Sequence, residues 1–191
     1  RTDRDKIVEG APWDIWNFNQ TGNMEVRGFL NVNGVLTIWQ TRAFEVALVI
    51  TTGTVTVGPG GAIRSNLPLN IYNFNGSLVA NGGAIDVNAI VTFGTASVSL
   101  TNGTTVSHGS FILQGSSFTL GTGVTVTGTR LYARGGTSVI LDGATVSLAV
   151  VDVITTGDIT VKGSTLTSAT DITLRSTAAD KTLTTMDSAI T

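Results

Sequence analysis

His108 is the only imidazole in the sequence, and it directly follows Ser107 at the end of the phrase GTTVS (103–107). A histidine works as a base or a metal ligand only when other groups converge on it, so the acids decide what it can do. Three glutamates occur, Glu9, Glu25 and Glu45, all before residue 50, and Asp86, Asp142, Asp152, Asp158 and Asp171 are scattered through the rest. Cleaving a polysaccharide takes two opposed carboxylates, or an acidic cluster that holds Ca²⁺ beside a basic residue. Asp152 and Asp171 lie about one repeat apart and could approach each other, with Arg130, Arg134 and Arg175 nearby. Among arginines, such a pair reads as exposed ion pairing, and His108 reads as a solvated turn residue. The glycine-rich stretches lack the Lys-Ser/Thr of a phosphate loop and the βαβ setting of a dinucleotide site. The expectation is a protein that is not an enzyme, with no metal and no cofactor.

Composition narrows the partners. Eleven Lys and Arg stand against 13 Asp and Glu, for a net charge of −2, and no basic cluster appears. A nucleic-acid partner is therefore not expected. The chain has no cysteine, which removes disulfides and thiolate metal sites. The longest apolar candidate, AFEVALVITT (43–52), is too short for a bilayer and carries Glu45, so no membrane span is expected. The start at Arg1 reads as a processed mature chain or an excised piece.

The elements that would carry these residues are announced by a repeat. GTTVS (103–107) returns as GVTVT (123–127), GATVS (143–147) and GSTLT (163–167), always twenty residues on. Within it Val106, Val126, Val146 and Leu166 are each flanked by hydroxyls, so each phrase reads as a short strand with one side chain inward and two outward. A second strand gives inward pairs Val98/Leu100, Phe118/Leu120, Val139/Leu141 and Ile159/Val161, and a third gives Phe111/Leu113, Leu131/Ala133, Val151/Val153 and Ile172/Leu174. Apolar columns repeating near twenty residues mark a solenoid, one repeat per turn. The expected fold is all-β: a parallel β-helix with about 20 residues and three short strands per coil, right-handed by the crossover rule.

The expected layout is a charged arm (1–12), aromatic-rich coils or a cap with an insertion (13–52), a regular solenoid (53–177) and a partial coil at the end (178–191). Seven or eight coils are expected, beginning near Trp13. IWNFNQT (15–21) and IYNFNGS (71–77) read as equivalent places, and residues 40–52 as an insertion, an extra strand or a covering helix. No amphipathic helix follows Arg175, so the last coil is expected to lie open, a template for another chain.

Several surface features could bind. Thr105, Thr125, Thr145 and Thr165 would stack in one column, with Ser107, Thr127, Ser147 and Thr167 beside it. Tyr132, between Arg130 and Arg134, could stack on a sugar or dock a subunit. Asn19, Asn75 and Asn102 open N-x-S/T sequons. Trp13, Trp16, Phe18, Leu183 and Met186 are candidates for contacts between subunits.

On its columns and Thr/Gly/Val composition, the chain resembles parallel β-helix surface proteins: adhesin stalks, tail-spike shafts and solenoid subunits of extracellular fibres. That resemblance covers residues 53–177 and rests on architecture, with no family motif. It implies a secreted structural protein that joins head-to-tail through open ends, with itself as partner. The alternatives are a carbohydrate-binding adhesin or spike module, and an ice-binding protein, since the hydroxyl ladder resembles the face of β-solenoid antifreeze proteins.

Overall fold

The computed structural model describes residues 5–43, 45 and 47–191, with every side chain among them except that of His108. Alternating apolar and polar residues wind the chain into about nine coils of about 20 residues each, with no helix among the described residues. Twenty-two short strands form it among the described residues. Five of them, Trp13–Thr21, Phe29–Trp39, Thr105–Gln114, Thr125–Arg134 and Thr145–Thr155, turn a corner and serve two faces of the coil. All ladders are parallel, each strand pairing with its counterpart in the coil before or after.

Each coil crosses three faces in turn. The first runs from Lys6–Val8 in the first coil to Ile172–Ser176 in the ninth, and its outward column bears Tyr72 and Tyr132. This is the aromatic face. The second ends at Leu183–Met186 and shows Ser77, Ser97, Ser117 and Ser138 in one column, the serine face. The third ends at Ala189–Ile190 and carries the repeated phrase, the threonine face.

The inward columns follow the expected register. Val106 pairs with Val126, Phe118 with Val139 and Phe111 with Leu131. The inward residues from the second to the eighth coil are almost fully buried. Each such aliphatic side chain contributes on the order of 1.5–3 kcal/mol of transfer free energy, so the stacked columns hold the coil. Phe111 and Phe118, from two faces, meet across the core with ring centroids 4.9 Å apart.

Corners are set by small and polar residues. Gly103, Gly123, Gly143 and Gly163 all have positive φ, between 54° and 77°, which is why glycine returns in every phrase. Buried hydroxyls then satisfy corner backbone: Thr155 Oγ1 reaches the Gly135 and Thr137 carbonyls at 2.7 and 2.6 Å and accepts from the Gly157 amide at 3.0 Å.

Two expectations change and a third is narrowed to an insertion followed by a strand. There are about nine coils, not seven or eight, because Lys6–Val8 pairs with Met24–Val26 and already forms a strand of the first coil. The two NFN segments are not equivalent: residues 15–21 run into the threonine face, whereas residues 71–77 turn from the aromatic to the serine face. The 40–52 stretch has turn or bend structure at 41–43, and Ala47–Ile50 then takes its place in the aromatic face. Gln40 pins this insertion, its Nε2 donating to Ser65 Oγ at 2.7 Å and to the Leu67 carbonyl at 3.0 Å.

Candidate functional site

The two rims of the solenoid differ. At the N-terminal rim Trp13 stands over Leu30 and Phe18 over Leu36. Their rings meet edge to face with centroids 4.8 Å apart, and the Lys6 ammonium sits 4.4 Å from the Trp13 ring. Val8 and Ile15 in the same coil are buried. Trp16 points outward, 71 % exposed, where the strand slips register at a corner. At the C-terminal rim the ninth coil has no strand beyond it among the described residues. Leu183, stacked on buried Ile159, is 46 % exposed, and Ile190, stacked on buried Leu166, is 38 % exposed. Ile172 and Leu174 complete the rim, while Met186, 51 % exposed, continues the outward column of Asp142 and Lys162. This rim offers apolar side chains and an unpaired parallel edge together.

The hydroxyl ladder stands in register. Thr105, Thr125, Thr145 and Thr165 align and are exposed, with Thr127, Ser147 and Thr167 aligned beside them. Ser107 ends the second column at a register shift. Above Ser107 the column continues as Asp86, so the ladder spans four coils.

The aromatic face is different. Its outward positions include Val49, Tyr72, Val91 and Ile112 in one column. Phe74 and Phe93 stack beside that column with ring centroids 5.5 Å apart and planes 15° from parallel. A groove of about 510 Å³ opens at its N-terminal end, floored by the column Ile7, Glu25, Val49 and Tyr72 with Phe74 beside it and Asp5 also lining it. Tyr132 continues the column, and Arg134, not a ligand, lies 4.0 Å over its ring. The same guanidinium bonds Asp152 Oδ2 at 2.5 Å and the Asp152 carbonyl at 3.0 Å. Arg130 stands exposed one position before this strand's inward column.

Asp152 and Asp171 are not register neighbours, since Asp152 lies opposite Thr173 and takes Arg134 as its partner. Other carboxylates also hold cations across coils, Asp142 with Lys162 at 4.0 Å and Asp158 with Lys181 at 3.6 Å. Arg27 donates two hydrogen bonds to Glu25, at 2.8 and 3.1 Å, which hold that carboxyl below its usual range. Hydrogen bonds from the Thr41 hydroxyl and the Arg42 amide lower the Glu45 carboxyl likewise. The His108 side chain lies outside the described residues.

Asn19, Asn75 and Asn102 are all exposed. Asn102 adopts φ 52° and donates to Asn81 Oδ1 at 2.6 Å, and the Thr104 hydroxyl of its sequon is buried against the Thr101 carbonyl. Asn75 accepts from the Thr95 hydroxyl at 3.3 Å. Sequence reasoning missed the aromatic face as a unit, because its Phe and Tyr residues fall in the looser repeats at 70–93. Their two-residue spacing, Tyr72 and Phe74, was the available signal. Among the described residues, no helix is long and apolar enough to cross a membrane.

No family model, curated protein or solved structure matches this chain.

Proposed function

We propose that the protein is an extracellular structural subunit that assembles head-to-tail, the C-terminal rim of one copy seating on the N-terminal rim of the next. The observation that carries this reading is the continuity of the inward columns from one rim to the other. Placing a tenth coil after the ninth would set Leu174 on Val8, Leu183 on Trp13 and Ile190 on Phe18 of a second copy. These three contacts are apolar, as most contacts within the columns of the chain are, and inward Thr185 would lie on Ile15. The backbone edge of the ninth coil would find partners by strand addition, as in β-augmentation. Only Ile172 would meet a charge, on Lys6, whose ammonium already leans toward the Trp13 ring. Replacing Leu183 with Arg tests it: sedimentation should show association weakened by at least about tenfold, as expected for an unpaired charge in a desolvated contact. Unchanged association would remove the reading.

A second reading rests on the threonine ladder. Four aligned, exposed threonines support ice binding, for which Thr125→Tyr should abolish thermal hysteresis. A third, carbohydrate binding at Tyr132, Arg130 and Arg134, has support from the alternate placing of the three along one strand, which sets them on the same outward face. In that case Tyr132→Ala should lose binding on a glycan array.

A further inference from the structure

The three faces of the coil are chemically unlike. The serine face shows hydroxyl columns, among them Ser97 bonded to Ser77 at 2.8 Å, and the threonine face shows another. The aromatic face instead sets Val49, Tyr72, Val91 and Ile112 outward, with Phe74 and Phe93 alongside. Val91 points away from the core, yet it is only 9 % exposed because its neighbours crowd it. A contiguous apolar strip on an outward sheet face marks a contact surface.

We infer that the aromatic face pairs with the same face of a second copy, the two solenoids lying side by side and antiparallel. Size permits it. Nine coils at about 4.8 Å and five residues at about 3.3 Å make a face of about 43 by 16 Å, or roughly 700 Å² on each partner. Two such faces bury roughly 1,400 Å², within the range of stable interfaces. The symmetry suits it as well. A two-fold axis along the strand of the fifth coil keeps each column opposite itself, so Phe93 meets Phe93 and Val91 meets Val91. The column that ends in Arg175 begins with Glu9, and the antiparallel arrangement sets each Glu9 against the other copy's Arg175. Tyr72 then faces Ile112. Asp5 meets Asp171 at the exposed fringe, where like charges are screened by solvent. Glu25 meets Asp152 within the Val91 column, each of these two carboxylates already bonded to an arginine of its own copy.

A sugar fits this face less well. Phe74 and Phe93 turn their rings toward each other, and Arg134 covers one side of Tyr132. Those are the surfaces on which a sugar ring would stack.

The absence of cysteine makes the test direct, because one introduced thiol is unique. In a Leu183→Arg background, which separates side-by-side pairing from rim-to-rim assembly, Val91→Cys should oxidise to a disulfide-linked dimer. Ser99→Cys on the serine face and Ser147→Cys on the threonine face should stay monomeric under the same conditions. Without oxidant, Val91→Lys should lower the sedimentation mass from twice 19.7 kDa to 19.7 kDa, with circular dichroism showing the β-structure intact. Three equal cross-linking yields, no Val91→Cys dimer, or a Leu183→Arg chain that is monomeric at its highest soluble concentration would overturn the inference. Vesicle or glycan binding by a chain that stays monomeric would do the same.

Discussion

Gly103 and Gly128 are both corner glycines, for different reasons. Gly103 has φ +77° and open space where a Cβ would stand. Its constraint is conformational, and Asn102 beside it already adopts the left-handed region. Gly103→Asn should therefore cost less than about 1 kcal/mol, and Gly103→Val about 1–2 kcal/mol. Gly128 is held by proximity: a Cβ there would lie 2.1 Å from the Gly109 carbonyl oxygen of the adjacent coil. Gly128→Ala should cost about 2–3 kcal/mol, because backbone must move. Urea midpoints rank the three. Glu25 adds a pH dependence. Its folded pKa lies below the ordinary 4.5 because Arg27 stabilises the carboxylate. The pairing thus contributes stability above that ordinary value, and the contribution is lost as pH falls through the lowered one. Glu25→Gln should flatten the acid side of the melting-temperature profile. An equal acid loss in both proteins would show that the pairing contributes nothing.

At the scale of strands and coils, stability is close to a sum of nearest-neighbour contacts, since each coil touches only the one before and the one after. The ninth coil has one neighbour, and its Leu183 and Ile190 are half open. Amides of residues 183–190 should exchange with solvent fastest and those of residues 117–142 slowest in the monomer, with residues 183–190 gaining protection on assembly. Uniform protection in the monomer would contradict this. From residue 97 onward the inward columns were legible, because there the coil length stays near twenty and inward residues alternate with hydroxyls. The register shift after Val106, which takes Ser107 out of line with Thr127, was not. Upstream the columns were blurred. Coil lengths vary there, Gln40 and the turn at 41–43 interrupt the rhythm, and the inward positions of Asn73 and Thr92 are polar. A polar residue at an inward place breaks the apolar signal that periodicity needs, although Asn73 is satisfied by the Gly76 amide and the Ser97 carbonyl. Trp13, Phe18 and Leu183 stood out in the sequence as candidates for contacts between subunits, but how they stack required coordinates.

At the scale of the whole molecule, a rod of nine coils is about 43 Å long at 4.8 Å per coil, with an apolar rim at one end and an aromatic pair at the other. The proposed contact between them is heterologous, so its repeated use along one axis would give a filament. Electron microscopy of the purified, unmodified protein across a concentration series is the most direct measurement. The account predicts filaments with an axial subunit repeat of about 43 Å and strands running perpendicular to the long axis, which fall apart in Leu183→Arg. Discrete single rods at every concentration, or filaments that persist in Leu183→Arg, would contradict it.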